Sequence, residues 1–268
     1  MPIPPDTILK AIPAMIPGKI AIYNAPGTRT ADYNLTYHHY ILCRTGGIAA
    51  SGSLSAWIKS AVTPIQSLLT SFGMNARNSV LVPPTAFQAA LGALHAPTLD
   101  WISTLSLPLP APPPAIINPG TGESLAVNLH AIYDSLVVPG AVTASGGYVA
   151  ASKALHCLFP NLAPMIDGKH SGLSYYRIAR ATYTAPTGLA NWAAWVGAPL
   201  LGIPNPSPQG AGRLAWDWTT FVAAIGINQH IYELWQRNHG NPGLPTFLAL
   251  DPAAGTTGVP RIIDKVLW

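Results

Sequence analysis

Apolar residues recur at steps of three and four along a segment that begins near Ser53 or Ser55. The recurring residues are Trp57, Ile58, Ala61, Val62, Ile65, Leu68, Leu69 and Phe72. This spacing places them on one face of a helix with 3.6 residues per turn. Gly73 is a typical stop, and Pro64 either kinks this helix or begins a second one capped by Thr63. The pattern favours a fold built from helices around an apolar core.

Similar spacing predicts further helices. Glu123–Val138 has an apolar face, the longest predicted helix runs from Arg213 to Asn238 and ends at Gly240, and Arg261–Trp268 closes the chain with four aliphatic residues. The other predicted helices are 85–95, a turn or two after Thr98, 150–159, 171–182 and 189–196.

A small β element is expected near the N-terminus. Lys19–Tyr23 and Asn34–Cys43 are rich in the β-branched and aromatic residues typical of strands, and Pro26-Gly27 between them indicates a turn. The Pro-rich start, residues 1–17, is expected to be an extended arm with at most one short helix. The predicted fold class is therefore mainly α, with a helix-hairpin-helix-like element between residues 136 and 180 and this N-terminal β element.

The 268 residues fit a single globular domain, 1–268. A Pro-rich segment, 108–119, is expected to cross that domain in an extended form between two helical flanks. Charged residues make up only 9% of the chain, against about 25% in a typical domain. Disorder is excluded, because it requires low hydrophobicity together with high net charge.

A mean hydropathy of +0.28 raises the question of a membrane segment. The longest stretch without charge, Ala181–Gly212, is interrupted by five prolines, and its apolar part is shorter than the roughly 20 residues that span a bilayer. Residues 1–20 lack the pattern of a signal peptide. We therefore expect a cytoplasmic protein with no membrane partner. Cys43 and Cys157 are expected to be buried reduced thiols, and neither a metal site nor a cofactor is predicted.

The segment most informative about function runs from Leu136 to Arg180. One predicted helix ends at Val138-Pro139-Gly140, a turn contains Gly146-Gly147, and a second helix begins near Tyr148. The first amides of such a helix point outward at the positive end of its dipole and bind phosphate groups. This is how a helix-hairpin-helix holds a DNA backbone without reading its sequence.

The same segment resembles the helix-hairpin-helix DNA glycosylases, in which an LPGVGxxTA-like hairpin precedes a helix and a Pro-hydrophobic-hydrophobic-Asp segment. Gly147 matches the last hairpin glycine, Ala151 the small residue of the helix, and Pro164–Asp167 the segment with the family's catalytic aspartate, at a spacing without a gap. The resemblance implies that Asp167 would stabilise a cationic sugar or activate water. The alternative is that Asp167 caps a helix that starts at Gly168.

The segment also departs from the family pattern. Val149 stands where bifunctional members have a lysine nucleophile, and Lys153 comes one helical turn later. Val138-Pro139-Gly140 lies so far upstream that the turn must be enlarged. The family's iron–sulfur cysteines are missing, and Gly168-Lys169-His170 follows the aspartate where members have Thr-His. The resemblance therefore implies a monofunctional enzyme.

Basic residues concentrate in this segment: between Ala151 and Thr182, four cations face one acid, Asp167. Such a patch beside a hairpin is typical of a phosphate-binding surface. The residues predicted to bind nucleic acid are Gly146, Gly147, Lys153, Lys169, His170, Arg177 and Arg180. Tyr175 and Tyr176 are the predicted stacking partners of an extruded base.

The sequence thus predicts a protein that binds DNA backbone and acts as a monofunctional glycosylase through Asp167, with its oligomeric state left open. One alternative is a non-enzymatic nucleic-acid-binding or scaffold module. Another is a small-molecule enzyme or binding protein with an apolar pocket lined by tryptophans. The candidate tryptophans are Trp192, Trp195, Trp216, Trp218 and Trp235. The turn at 120–123 is interpreted as the start of a helix, with Glu123 in the first turn near the positive end of the helix dipole. This interpretation is preferred to the alternative that the turn binds an anion.

Overall fold

The computed structural model describes residues 5–75, 79–166, 218–252 and 258–267. Its described part is mainly helical, as predicted. A 3-10 turn spans Pro113–Ala115, and isolated antiparallel bridges join Leu81 to Thr143 and Ile117 to Ser124. The helices are α1 (Pro5–Tyr23), α2 (Arg29–Ser51), α3 (Leu54–Trp57), α4 (Val62–Ser71), α5 (Pro84–Gly92), α6 (Ala96–Ser103), α7 (Leu125–Val137), α8 (Tyr148–Leu158), α9 (Trp218–Asn238), α10 (Leu244–Leu248) and α11 (Val259–Leu267).

The prediction of an N-terminal β element is wrong, because both predicted strands lie inside helices. α1 buries a stripe of Ile12, Ile16, Ile20 and Tyr23, spaced by three or four residues. This stripe faces the core, so its burial outweighs the two internal prolines of α1. The extended arm expected for residues 1–17 is likewise helical from Pro5 onward.

α2 replaces the second predicted strand with a helix of 23 residues. The side chain of Thr28 accepts a hydrogen bond from the Ala31 amide, and Gly52 ends the helix in the left-handed conformation, so both ends are capped. The aromatic residues that suggested a strand are buried on one face at helical spacing: Tyr33, Tyr37 and Tyr40.

Most of the helices predicted from apolar spacing are confirmed within the described residues. Ser53 caps α3 through the Ala56 amide, and α4 starts at Val62, so Pro64 belongs to the first turn of a second helix. No side chain caps α4, so Thr63 is not its cap. The predicted helices at 171–182 and 189–196 lie outside the described residues.

The C-terminal helix α11 lies in the interior and packs on α1, α9 and α10. Every residue from Val259 to Val266 is buried, including three charged ones. α7 packs on α8 and α9. A buried helix normally shows apolar residues on all sides, so the charges of α11 must find partners inside the protein.

The Pro-rich segment 108–119 crosses between α6 and α7 and is held by hydrogen bonds to distant residues. The Leu107 amide donates to the Asn161 carbonyl at 2.9 Å, and the Leu109 amide donates to Oε1 of Gln229 at 2.9 Å. Both of its flanks are helical, as predicted. Among the described helices, none combines the length and the apolar character needed to traverse a bilayer.

Candidate nucleic-acid interface and a second candidate site

The connection between α7 and α8 spans residues 138–147. α7 begins after Ser124, whose side chain accepts from the Val127 amide, and it ends where Val138 turns to an extended conformation. α8 begins at Tyr148, directly after Gly147. The predicted ends of the two helices are therefore confirmed to within two residues, and the connection is long, as the position of Val138-Pro139-Gly140 indicated.

The amides of the two hairpin glycines are used inside the connection. The Gly146 amide donates to the Thr143 carbonyl at 3.1 Å, and the Gly147 amide donates to the Val137 carbonyl at 2.8 Å. Both glycines have positive φ, at 68° and 119°, which their turn requires. The prediction that these amides contact DNA is therefore wrong. The first turn of α8, which follows Gly147 directly, lies at the positive end of the helix dipole.

The same connection pairs with a second part of the chain. The Val82 amide donates to the Val142 carbonyl at 3.1 Å, and the Ala144 amide donates to the Val80 carbonyl at 2.9 Å. Thr143 and Val142 are buried. The connection is thus fixed on both sides, which holds the start of α8 in one position.

Lys153 lies in the interior and not on a basic surface. Only 4% of the residue is exposed, and its ammonium donates to the Phe72 carbonyl at 2.8 Å. An ammonium that is buried and bonded to a backbone carbonyl cannot reach a phosphate outside the protein. The prediction of Lys153 as a nucleic-acid contact is therefore wrong, and its role is to tie α8 to the end of α4.

Ser152 of α8 holds the chain at Ile166, the residue before Asp167. The Ser152 hydroxyl accepts from the Ile166 amide at 3.3 Å, and its proton lies within reach of the carbonyls of Val149 and Ile166. Ser152 is five residues into α8 from Gly147, about 7.5 Å along the helix axis. The main chain at Ile166 therefore lies beside the N-terminal half of α8.

The remaining residues of the predicted site lie outside the described residues. They are Asp167, Lys169, His170, Tyr175, Tyr176, Arg177 and Arg180. Of the candidate tryptophans, Trp192, Trp195 and Trp216 also lie outside them. Trp235 is buried against Phe247, and Trp218 stacks on His130 at a ring distance of 4.7 Å.

A buried charged network, which the sequence did not reveal, surrounds α11. Arg261 donates to Asp264 at 2.7 Å, to Asn34 of α2 at 3.1 Å and to the Tyr23 hydroxyl at 3.3 Å. Its guanidinium also lies 4.7 Å from the centre of the Tyr37 ring. The arginine thereby joins the C-terminal helix to α1 and α2, which are more than 200 residues away in the chain.

The second cation of this network is Lys265, which forms an ion pair with Asp251. Asn24 connects the two halves: its side-chain amide donates to Asp251 at 2.8 Å, and its oxygen accepts from Lys265 and from Asn34. Burial and the nearby Arg261 charge lower the pKa of Lys265 to about 8. Two cations and two carboxylates balance one another, which is the arrangement that makes charge tolerable in an interior.

His156 of α8 lies next to this network and is fully buried. Its Nδ1 is 2.7 Å from the Ala163 carbonyl, which can only accept, so Nδ1 carries the proton. Nε2 then accepts from the Tyr37 hydroxyl at 2.8 Å. Burial, together with the charges of Arg261 and Arg44, lowers the pKa of His156 to about 3. The imidazole is therefore neutral at physiological pH and cannot add to a phosphate-binding patch.

The two cysteines differ in their exposure. Cys157 is buried, as expected, and burial raises its pKa to about 12, which makes this thiol inert. Cys43 is exposed, so the expectation that it is buried is wrong. It lies on α2, which turns this position away from the buried face that carries Tyr37 and Tyr40.

A cavity of about 420 Å³ lies between α6 and α7. Its lining includes the apolar residues Leu94 and Ile132 and polar residues, among them His95, Thr121, Glu123 and Ser135. None of its described lining residues is a tryptophan. Nowhere in the described residues do three or more His, Cys, Asp or Glu side chains come together as a metal site.

Comparison of the chain with protein-family models, with curated proteins and with solved structures gives no match in any of the three.

Proposed function

We propose that the chain binds the sugar–phosphate backbone of DNA at the start of α8 and along the basic segment that follows it. In this proposal Asp167 acts as the carboxylate of a monofunctional, glycosylase-like enzyme. The observation that supports it is the hydrogen bonding between Ser152 and Ile166, which holds Ile166, the residue before Asp167 in the sequence, about one and a half turns from the start of α8.

The residues on both sides of this contact are buried. Met165 and Ile166 are buried, and Ser152 is 1% exposed. Asp167 follows this segment directly in the sequence, and electrostatic stabilisation of a cationic sugar requires a well-positioned carboxylate. The absence of a lysine at position 149 leaves no amine there for a covalent step, so water is the proposed nucleophile.

The charge of the proposed interface comes from two sources. One is the positive end of the α8 dipole, which favours an anion near the first turn. The other is the set of cations that follow Asp167 in the sequence, Lys169, Arg177 and Arg180. Lys153 and His156 are excluded, because both are buried and hydrogen-bonded inside the protein.

Binding is tested by titrating the full chain into a short fluorescent DNA duplex at several salt concentrations. We expect the affinity to fall linearly on a log–log plot as salt rises, because bound cations release counterions from the DNA. Replacing Lys169, Arg177 and Arg180 together by glutamine should reduce the slope by about 0.9 for each phosphate that is no longer neutralised. Lys59→Gln is the matched control, since Lys59 is an exposed cation far from α8 in the sequence. The proposal would be contradicted by a DNA affinity that does not depend on salt. It would also be contradicted if Lys59→Gln changed the slope as much as the triple variant does.

Catalysis is tested with duplexes that each carry one deaminated or alkylated base. Asp167→Asn should abolish base release while leaving DNA affinity within about twofold, since it removes a charge that acts in the transition state. Asp134→Asn, which changes an exposed carboxylate on α7, is the control. If Asp167→Asn released bases at the normal rate, the enzymatic part of the proposal would fail. DNA binding without base release by the unmodified chain would favour a non-enzymatic module.

A further inference from the structure

The cavity between α6 and α7 contains a histidine whose ring is oriented by a chain of buried side chains. Nδ2 of Asn128 donates to the Ser124 carbonyl at 2.9 Å, which turns Oδ1 of Asn128 toward Thr98. Because Oδ1 can only accept, the Thr98 hydroxyl must donate to it, at 2.9 Å. The Thr98 oxygen then accepts from Nδ1 of His95 at 2.8 Å.

This chain determines which nitrogen of the neutral His95 ring carries the proton and which one is an acceptor. In the neutral ring the proton is on Nδ1, so Nε2 on the other edge has a lone pair and no proton. Thr98 is 5% exposed and Asn128 is 2% exposed. Water therefore does not compete for the hydrogen bonds that orient the His95 ring. His95 itself is exposed at the cavity and available to a ligand.

Two further side chains of the cavity offer acceptors. The Ser135 hydroxyl already donates to the Ala131 carbonyl at 2.8 Å, so its oxygen is left to accept. Glu123 adds a carboxylate at the rim, where the turn 120–123 brings it next to α7. None of the described residues that line the cavity is a lysine or an arginine. The cavity is thus rich in acceptors and negative in a protein with a net charge of +4.

A ligand that matches this cavity must donate hydrogen bonds and carry positive charge on one side. The rest of the ligand must be apolar, because Leu94 and Ile132 also line the cavity. The volume of about 420 Å³ is near the lower end of the range for small-molecule sites. Anionic ligands such as phosphates are disfavoured, since Glu123 would repel them and no cation among the described lining residues compensates.

We propose that this cavity binds a small organic cation, namely a primary amine attached to an apolar or aromatic body. The ammonium lies between Glu123 and Nε2 of His95, and the apolar body packs on Leu94 and Ile132. Glu123 supplies the charge, and the buried Thr98–Asn128 pair positions His95. This site is separate from the nucleic-acid proposal and does not depend on it.

The experiment compares three ligands that share an indole ring and differ in charge. Tryptamine is a cation, tryptophol is neutral and indole-3-acetate is an anion at neutral pH. Each is titrated calorimetrically into the full chain. We expect saturable binding of tryptamine, affinity about tenfold lower for tryptophol, and no binding of indole-3-acetate, because a hydrogen bond to a charged group is worth at least about a factor of ten.

Two variants separate the role of Glu123 from a general effect of charge. Glu123→Gln should lower the tryptamine affinity about tenfold, to the level of tryptophol. Asp134→Asn removes an equal charge from α7, outside the cavity, and should change the affinity by less than about twofold. Equal effects of the two variants would overturn the proposal. So would binding of indole-3-acetate as tight as that of tryptamine, or no saturable binding of tryptamine.

The location of the ligand is read from the imidazole ¹⁵N signals of the protein. Tryptamine should shift the Nε2 signal of His95 and leave that of buried His156 unchanged. A shift confined to histidines other than His95 would place the amine elsewhere and contradict the assignment of this site.

Discussion

Tyr37 donates its hydroxyl proton to Nε2 of His156 across 119 residues of sequence, at 2.8 Å. The two rings also stack, with centroids 5.5 Å apart. Tyr37 lies under the guanidinium of Arg261 as well. One tyrosine of α2 therefore connects the neutral imidazole of α8 with the buried cation of α11, and the first two predictions concern these partners.

The free energy of unfolding should fall as the pH is lowered from about 6.5 to about 3. The folded-state pKa of His156 is about 3, whereas an unfolded histidine titrates near 6.5. In this window the unfolded chain binds the proton first, so His156 contributes stability that is present above about pH 6.5 and is lost as the pH falls toward the folded-state value. Its contribution to the slope is at most about 1.4 kcal/mol per pH unit.

This pH dependence is measured by chemical denaturation of the protein and of His156→Gln, whose amide can replace both hydrogen bonds. In the variant, the free energy of unfolding should change less with pH between about pH 4 and pH 6.5. In this window the histidine is protonated in the unfolded chain only. His39→Gln, at an exposed position of α2, should leave the profile unchanged. The carboxylates of the network, Asp251 and Asp264, are present in all three proteins, so their effect cancels in the comparison. An unchanged slope in His156→Gln would contradict the prediction.

Removing one member of the Arg261–Asp264 pair should be more harmful than removing both. Arg261→Leu leaves the Asp264 carboxylate in the interior without its cation and should cost about 3–5 kcal/mol. The double variant Arg261→Leu/Asp264→Leu removes both charges and should recover part of that loss. Urea denaturation of the single and double variants gives the coupling energy of this pair. Additive losses would show that the two charges do not stabilise each other.

Gly146→Ala should destabilise the connection between α7 and α8 far more than Gly140→Ala. At Gly146, φ is +68°, and an added Cβ would lie 2.6 Å from the Val137 oxygen and the Pro139 nitrogen. At Gly140, φ is also positive, but an added Cβ meets open space. Gly140→Ala should therefore cost only the left-handed strain of about 1–2 kcal/mol. Gly146→Ala should cost about 1–3 kcal/mol more, because the backbone around it must move.

The difference between these two glycine variants is measured by thermal or urea unfolding. Equal losses would mean that the chain around Gly146 has room for a methyl group after all. The affinity for DNA offers a second readout. Gly146→Ala should weaken DNA binding if the start of α8 is displaced, whereas Gly140→Ala should leave the affinity unchanged.

Thr98→Val should change the tautomer of His95 without changing the shape of the side chain at position 98. The hydroxyl that accepts from Nδ1 is removed, so the His95 ring loses the hydrogen bond that keeps the proton on Nδ1. The ¹⁵N signals of His95 should then shift toward the Nε2–H form. The variant also leaves Oδ1 of buried Asn128 without its donor, at a cost of about 1–3 kcal/mol. Thr104→Val is the control, since this exposed threonine only donates to the Trp101 carbonyl. A His95 signal unaffected by Thr98→Val would contradict the positioning role.

The sequence predicted helices best where the apolar period was the only strong signal. α4, α7, α9 and α11 follow from residues spaced by three and four. α2 was mistaken for a strand because Tyr and Ile favour strands locally, although Tyr33, Tyr37 and Tyr40 also fit a helical period. Thr28 and Gly52 marked the two ends of this helix. Local propensity is a weak force, and burial of one face against α3 and α4 outweighs it.

At the candidate sites, the sequence likewise predicted the backbone better than the contacts of single side chains. The positions of α7, α8 and the long connection were predictable, because prolines and glycines restrict the backbone locally. The hydrogen bonds of the Gly146 and Gly147 amides were not predictable from the sequence. Their acceptors, the Thr143 and Val137 carbonyls, are determined by the path of the turn. Lys153 appeared to be part of a basic patch because charge is counted along the sequence, but α8 turns it toward the Phe72 carbonyl.

The sequence alone determined that this protein is mainly helical and where most of its helices end, because apolar period, caps, glycine and proline act over a few residues. Only the tertiary structure decided which polar side chains are buried together. Arg261 is hydrogen-bonded to Asn34, and His156 to Tyr37, across more than 100 residues of sequence. His95 and Glu123 line the same cavity. Whether a charge faces water or an interior partner depends on that packing, which residue order does not specify.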